Sequence, residues 1–358
     1  MAEPPEHLVA VVATAGSAHQ PYGEELVNGI NEAARRINAG GGVLGAVVRP
    51  VVWKEDCSRE RAAQIAAELV PMKPAVVIGH LCTGAALAAA PIYVRAGILF
   101  IAPGVRHPAL TKGTSATGLV LRLASREDRF AADAVAFIKS RYAGQSVAVI
   151  ADRTRQARAL ADGVVEEARR QRVVLTLDVR IESGERTYDA LAARVKDSGA
   201  GVVVMPAQPI ELGVVVASLR RTGVEAPIVG SEILAVPAIE ATARDLGDRL
   251  VVMLPWSGLE TGRQSAGATS QPAQAREALR RRSGAALDVW AASARRAGST
   301  APAVVAAAAR TEATATAVGA LRFDESGDAL VPGYVASTWR DGDWRPLGDA
   351  AMALPVPQ

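Results

Sequence analysis

Short apolar runs alternate with amphipathic stretches along the first third of the chain. Leu8–Thr14 is a continuous apolar run, which is typical of a strand buried on both faces. Leu26, Ile30 and Ile37 then recur at the spacing that places them on one face of a helix, and Gly40 begins a glycine run that ends it. A βαβαβαβ order predicts a parallel, doubly wound sheet. The further strands of this sheet are predicted at Val47–Trp53, Ala75–Gly79 and Ile98–Ala102.

The alternation restarts near Leu119–Leu123 and continues to Leu254, which predicts a second lobe like the first. Ser58 and Ser125 precede helical stretches and are predicted to be their N-caps. Ser257–Gln274 is rich in Ser, Gly, Thr and Gln and is predicted to be a surface loop. The strand predicted at Tyr334–Trp339 lies far along the chain from the other sheet segments, which suggests that the chain crosses between the lobes more than once. The remaining elements are helices at Ala275–Ala297 and Ala301–Ala309 and a strand at Tyr334–Trp339.

The composition supports a globular protein with two domains. The chain has 358 residues, of which 49% are hydrophobic and 22% charged. No apolar run reaches the roughly 18 residues that a membrane span requires. The net charge is +3, and the basic residues are scattered along helices among acids, so nucleic acid is not an expected partner. The short basic run Arg280–Arg282 is interpreted as a solvated helix end.

The cysteines and the amino terminus leave alternatives open. Cys57 and Cys82 are either two free buried thiols or one disulfide formed in an oxidising compartment. Residues 1–7 contain no basic segment followed by an apolar one, so no signal peptide is recognised. The protein is therefore either cytoplasmic or an exported protein whose leader has been removed.

Motifs for catalysis, metals and cofactors are not found. Gly40–Gly45 fits G-x-G-x-x-G in form, but it lies after a helix and before a strand, the reverse of the order in a dinucleotide site. No phosphate loop, zinc-protease motif or nucleophile elbow occurs, and no carboxylates form a recognisable acid/base pair. We expect no cofactor, no metal and no catalytic residue. The histidines do not have the spacing of metal ligands: His7, His19, His80 and His107.

Several longer stretches carry a resemblance to one family. Tyr22-Gly23 opens the first helix and Asn38–Gly45 follows it, then come Val76–Cys82, Gly97–Pro103 and Gly319–Asp328. In this order they resemble the periplasmic binding proteins of branched-chain amino acid (Leu/Ile/Val-type) ABC transporters. The resemblance runs over nearly the whole chain.

The resemblance implies a fold and a division of the chain. The fold is α/β, a type I periplasmic binding protein with two doubly wound, Rossmann-like lobes that close on ligand like a Venus flytrap. Lobe 1 is expected to hold residues 1–121 plus 256–332, and lobe 2 residues 122–255 plus 333–358. Three hinge crossings are expected near 120–124, 253–257 and 331–336. The resemblance also implies that Cys57 and Cys82 pair, and hence that the protein is exported and its leader removed.

The resemblance carries a set of ligand contacts over to this sequence. In the relatives, hydroxyls and backbone amides hold the carboxylate of an amino acid, and an acid of the second lobe holds its ammonium group. Thr83 matches the first hydroxyl, although it would equally serve as a plain N-cap, and Gly104 matches a backbone contact. Glu232 matches the ammonium-binding acid, and Tyr22 matches a tyrosine of the cleft.

Three positions depart from the family pattern. Arg106 stands where a threonine is expected, and Gln156 and Gln208 each replace a tyrosine of the cleft. An arginine binds carboxylates in a two-pronged manner, although a loop arginine more commonly turns to solvent. These changes favour a ligand that is more polar or more acidic than leucine or valine.

The function that follows is capture of a small amino acid or related carboxylate for an ABC permease, by a periplasmic monomer. The alternative is a ligand sensor with similar lobes that transports nothing. An enzyme on an α/β scaffold is the third hypothesis and the least favoured, because no catalytic motif accompanies the fold.

Overall fold

The computed structural model describes residues 5–16, 18–112, 117–258 and 271–347. Contacts between residues divide the chain into two compact units. The first unit holds the described residues up to Glu127 and those between Ser257 and Val331, and the second holds Asp128–Trp256 and the described residues from Pro332 onward. Within the described residues, the chain passes between the units after Glu127, after Trp256 and after Val331.

The first unit is built on five parallel strands with the spatial order β2–β1–β3–β4–β5. The interior strand β1 is apolar from Leu8 to Ala13 because both of its faces are covered there: Val9 and Val12 are fully buried. The strands are β1 (Glu6–Thr14), β2 (Val47–Glu55), β3 (Val76–Gly79), β4 (Phe100–Ala102) and β5 (Val120–Arg122), and the helices are α1 (Gln20–Ala39), α2 (Arg59–Leu69), α3 (Thr83–Arg95) and α4 (Ala109–Lys112).

The predicted faces of these helices point inward. Leu26 and Ile30 of α1 are fully buried, as the sequence spacing requires. Helix α2 begins after Ser58, whose Oγ accepts a hydrogen bond from the Arg61 N–H at 3.1 Å, so the predicted cap is confirmed.

The second unit repeats this plan with β6–β10, all parallel, in the order β10–β9–β8–β6–β7. Its helices cover both faces, with Leu212 and Val215 buried on one and Val164 and Phe130 on the other. The elements are α5 (Phe130–Arg141), β6 (Val147–Asp152), α6 (Arg155–Arg170), β7 (Leu175–Ile181), α7 (Asp189–Ser198), β8 (Val202–Met205), α8 (Pro209–Arg221), β9 (Ile228–Ser231), α9 (Glu240–Leu246) and β10 (Leu250–Pro255).

The chain then returns to the first unit, where the long helix α10 (Gln271–Ala297) packs along α1. The two helices approach so closely that a Cβ on Gly29 would lie 2.0 Å from the carbonyl oxygen of Arg280. Glycine is therefore required at position 29 by packing. The unit is completed by α11 (Pro302–Thr311) and a hairpin of β11 (Thr314–Thr316) and β12 (Gly319–Leu321).

The last two strands belong to the second unit. β13 (Tyr334–Arg340) joins β10 in antiparallel register, and β14 (Asp343–Pro346) pairs with β13 at the edge. Within the part of the chain that the structure describes, the second sheet therefore has seven strands, of which these two run antiparallel to their neighbours. No helix among the described residues has both the length and the apolar character needed to cross a membrane.

Three sequence predictions need correction. Ser125 does not cap a helix: α5 begins at Phe130, and the buried Ser125 Oγ has no hydrogen-bond partner among the described residues. The run Arg280–Arg282 lies inside α10 and not at its end, since charge alone does not mark where a helix stops. Gln271–Gln274 is helical and not part of the predicted loop, most of which lies outside the described residues.

Candidate functional site

In both units the strand order reverses between two neighbouring strands, and this reversal marks where ligands bind in open α/β sheets. In the first unit it occurs between β1 and β3, because β2 lies on the far side of β1. In the second it occurs between β6 and β8, because β7 lies on the far side of β6. The carboxyl ends of β1 and β3, with β4 next to β3, therefore have their equivalents in the carboxyl ends of β6 and β8, with β9 next to β8. These strands are followed by Tyr22, Thr83, Gly104 and Arg106 in the first unit, and by Gln156, Gln208 and Glu232 in the second.

Thr83 is the first residue of α3 and is half-buried. The N-cap residue Cys82 makes no side-chain capping bond. Since the first N–H groups of a helix have no acceptor inside it, the entry to α3 presents amide donors beside the Thr83 hydroxyl. Such a set of donors suits an anionic group.

A disulfide joins Cys57, just after β2, to Cys82 at the entry of α3, with Cα atoms 5.4 Å apart. The pairing expected from the sequence is confirmed. The bond ties the loop after β2 to the segment that carries Thr83.

Three buried side chains lie directly behind this segment. His80 is fully buried, with Nδ1 2.9 Å from Glu55 Oε2 and Nε2 2.9 Å from the Tyr93 hydroxyl. Burial, with the nearby Glu55 as a smaller cause, raises the pKa of Tyr93, so its hydroxyl stays protonated. The other oxygen of Glu55, Oε1, has no hydrogen-bond partner among the described residues. We call these residues the Glu55–His80–Tyr93 chain.

The loop after β4 carries Gly104 and Arg106. A Cβ on Gly104 would lie 3.1 Å from Leu81 Cδ2, so a larger residue there would push the Leu81 side chain aside by a few tenths of an ångström. Arg106 is half-buried, and its Nε donates to the carbonyl of Ser125 at 3.3 Å. Arg282, which sequence reasoning missed, donates from Nε to the carbonyl of Pro103 at 3.0 Å and so braces this loop.

In the second unit, Glu232 follows β9 directly and is half-buried. The hydroxyl of Tyr334 donates to Glu232 Oε1 at 3.3 Å. Tyr334 is itself held by Asp133, whose Oδ2 accepts its backbone N–H at 2.9 Å. Sequence reasoning treated Tyr334 only as the start of a strand, because nothing in the pattern links residues this far apart.

Gln156 and Gln208 share one organising side chain, the buried Asp152 at the end of β6. Its Oδ2 accepts the Gln208 N–H at 2.6 Å, and its Oδ1 accepts the Thr154 N–H at 2.8 Å just ahead of Gln156. The Gln156 side chain is exposed, and Gln208 is half-buried at the N-cap of α8. Asp152 was also missed, although a polar residue ending an apolar strand is a signal that would have found it.

The family profile described as periplasmic binding protein matches residues 8–343. The chain belongs to the periplasmic binding protein family. This confirms the resemblance seen in the sequence, and the two parallel-sheet units have the type I fold of that family.

Individual relatives of this periplasmic binding protein are named as amino acid-binding or ABC transporter substrate-binding proteins. An amino acid binding protein of Pseudomonas aeruginosa is 29% identical over 65% of this chain and 63% of its own length. The Leu/Ile/Val-binding protein of Escherichia coli is 27% identical over 69% of this chain and 67% of its own length. The chain thus matches about two-thirds of the length of these curated relatives. The crystal structure of an ABC transporter substrate-binding protein from Desulfitobacterium hafniense in complex with Leu has a TM-score of 0.68 at 20% identity, covering 96% of this chain and 100% of that one.

Other features of this binding protein lie away from the strand ends that border the reversals. Among the residues that the structure describes, no three His, Cys, Asp or Glu side chains group as metal ligands. A cavity of about 470 Å³ in the first unit is bordered by Arg36, Asp288 and Arg295. None of the seven residues predicted to contact ligand lines it.

Proposed function

We propose that this periplasmic binding protein captures a small amino acid or related carboxylate, delivers it to an ABC permease and catalyses no reaction. One observation carries the proposal beyond family membership. The seven residues expected to contact ligand follow the two strands that border the reversal of strand order in each unit, or the next strand of the same sheet. In open α/β sheets, ligands bind outside the strand carboxyl ends at this point. We further propose that the two units are the two lobes predicted from the sequence.

In the first unit, the carboxylate of the ligand is proposed to bind the Thr83 hydroxyl and the first amides of α3. Backbone donors and the helix dipole both favour a negative charge there. Tyr22 opens α1 after β1 and is half-buried, which suits an aromatic wall. Gly104 is proposed to offer its backbone, since a side chain at this position would meet Leu81.

In the second unit, Glu232 is proposed to bind an ammonium group, because a half-buried carboxylate oriented by a tyrosine hydroxyl is a fixed anion. Gln156 and Gln208 are proposed to contact the ligand side chain. Amide groups in place of tyrosine rings favour a polar side chain over leucine or valine. Arg106 is proposed to contact an acidic group if the ligand carries a second carboxylate.

The site of action is proposed to be the periplasm, and the partner an ABC permease. The Cys57–Cys82 disulfide supports an oxidising compartment. The protein is proposed to act as a monomer, which size-exclusion chromatography with light scattering would test.

The experiment is a thermal-shift screen with the L-amino acids, dicarboxylates and aromatic acids, followed by calorimetry on the compounds that raise the melting temperature. For an amino acid ligand, Glu232→Gln should weaken binding at least about tenfold, because it removes a charge-assisted bond of roughly 1.5–3 kcal/mol. The matched control is Glu166→Gln, which neutralises an exposed carboxylate on α6 of the same unit. A screen in which no compound stabilises the protein would refute the proposal.

A further inference from the structure

The segment His80–Thr83 leaves β3 through an unusual backbone turn. Gly79 has φ +145°, and a Cβ there would lie 2.2 Å from the carbonyl oxygen of Val12. His80 follows with φ +50°, in the left-handed region that non-glycine residues seldom occupy. Glycine adopts a positive φ freely, but His80 needs support from its surroundings, because left-handed backbone costs free energy in a residue with a side chain.

The side chain of His80 provides that support. Its ring is fully buried and both nitrogens are in hydrogen-bond contact, with Glu55 at the end of β2 and with Tyr93 on α3. Tyr93 lies ten residues beyond Thr83, in the same helix whose first turn Thr83 opens. The ring therefore ties the end of one strand and the body of α3 to the turn that leads into the helix.

The proposed ligand contact at Thr83 lies three positions after His80, and the disulfide at Cys82 lies between them. The segment is thus anchored at residue 80 by the ring and at residue 82 by sulfur. Both anchors connect this segment to residues near the end of β2: the ring contacts Glu55, and the disulfide joins Cys57. An error of about 1 Å in the position of a contacting group weakens recognition, so such anchors bear on affinity.

We propose that the Glu55–His80–Tyr93 chain is a positioning device for ligand capture: it holds the Thr83 hydroxyl and the first amides of α3 in the geometry that binds the ligand carboxylate. None of the three side chains is proposed to contact the ligand. The inference rests on the proposed function for its effect on affinity, but the hold on the segment itself is a property of the free protein.

The central variant is His80→Asn. Asparagine tolerates a left-handed backbone better than most residues, so the turn is kept. Its side chain is too short to contact Glu55 and Tyr93 together, so the hydrogen-bond chain is broken. The matched control is Ile65→Val on α2, which removes one methyl group from the same buried core and leaves the chain intact.

Two measurements are made on each variant and on the unchanged protein. Hydrogen–deuterium exchange of the ligand-free protein reports the amides of Ala86–Ala88, the first in α3 that have acceptors; the Ala86 N–H donates to the Cys82 carbonyl at 3.0 Å. Calorimetry reports Kd for L-leucine, L-glutamate, succinate and benzoate. We expect His80→Asn to speed exchange at Ala86–Ala88 at least about tenfold and to raise Kd by a similar factor, about 1.4 kcal/mol, for every probe that binds the unchanged protein. Ile65→Val should alter neither.

The outcomes separate the inference from the function it builds on. If His80→Asn lowers the melting temperature but matches Ile65→Val in exchange and Kd, the Glu55–His80–Tyr93 chain only stabilises the core and the inference is wrong. If none of the four probes binds the unchanged protein, the exchange measurement still decides whether the chain holds the segment. If His80→Asn does not fold, Tyr93→Phe replaces it, since it removes one hydroxyl and keeps the ring, and it is held to the same two criteria.

Discussion

At the scale of single residues, the contact between Tyr334 and Glu232 gives the proposed ammonium site its orientation. The Tyr334 ring packs edge-on against Phe130 with centroids 5.5 Å apart, so Tyr334→Phe keeps the packing and removes only the hydroxyl. Loss of one hydrogen bond to a charged group, about 1.5–3 kcal/mol, should weaken an amino acid ligand roughly tenfold or more by calorimetry. An acid without an ammonium group should bind the variant unchanged. Equal losses for both classes would contradict this role.

Substitution of Arg106 tests whether the ligand is a dicarboxylate and not an amino acid. If the ligand is a dicarboxylate, Arg106→Ala should weaken it at least about tenfold, because a two-pronged bond to carboxylate is lost. Glu232→Gln should then be neutral or favourable, since it removes a like charge. The control is Arg95→Ala at the exposed end of α3, and calorimetry on all three variants decides. A loss in neither Arg106→Ala nor Glu232→Gln would mean that the wrong residues were carried over from the family.

At the scale of secondary-structure elements, the helices and strands of the parallel sheets follow the sequence pattern closely, and the exceptions have physical causes. Buried parallel strands are continuous apolar runs, which is why β1, β3 and β4 were predicted within two residues of their ends. The hairpin of β11 and β12 was missed because its short Thr- and Ala-rich strands have no periodicity to read. Ser125 resembled a cap because local composition does not show that α5 begins later, at Phe130.

The disulfide joins two segments of the first unit. It should stabilise that unit because it restricts the conformations open to the unfolded chain. Replacing both Cys57 and Cys82 by serine opens a loop whose ends are separated by 25 positions. Chain entropy then predicts a loss of about 3–4 kcal/mol in the free energy of unfolding. Urea unfolding of the double variant measures this loss. Free thiols found by titration in unreduced protein would show that the bond is absent.

The ion pair of Arg122 and Asp328 connects β5 to the segment that precedes Val331, after which the chain passes to the second unit. Arg122 is fully buried, and its Nε donates to Asp328 Oδ1 at 2.9 Å while Nη1 donates to the His107 carbonyl at 2.6 Å. Asp328→Asn leaves a buried guanidinium without its charge partner, which should cost about 3–5 kcal/mol in urea unfolding. Asp197→Asn, on the exposed face of α7, is the control and should cost less than about 0.5 kcal/mol. Similar midpoints for the two variants would show that the buried pair contributes no such stabilisation.

At the scale of the whole molecule, two units with the same arrangement of parallel strands are each proposed to supply ligand contacts. A compound at about 100 times its Kd then adds roughly 2.7 kcal/mol of stability. If both units supply contacts as proposed, hydrogen exchange should slow in core peptides of each, around Ile78 in the first and around Val204 in the second. Protection confined to one unit would contradict the proposal that both contribute.

The sequence by itself determined the α/β class, the repeated plan and the family, because each is written in local patterns and short motifs; the pairing of Cys57 and Cys82 was expected only through the family resemblance. A buried strand needs an apolar run and an amphipathic helix needs its spacing wherever they lie in the fold. Only the tertiary structure brought Glu55, His80 and Tyr93 together and placed the Tyr334 hydroxyl on Glu232. These partners are 13 to 102 positions apart along the chain, and a hydrogen bond between distant residues leaves no periodic trace in either segment. Their meeting depends on the order in which the strands assemble, which the local pattern does not encode.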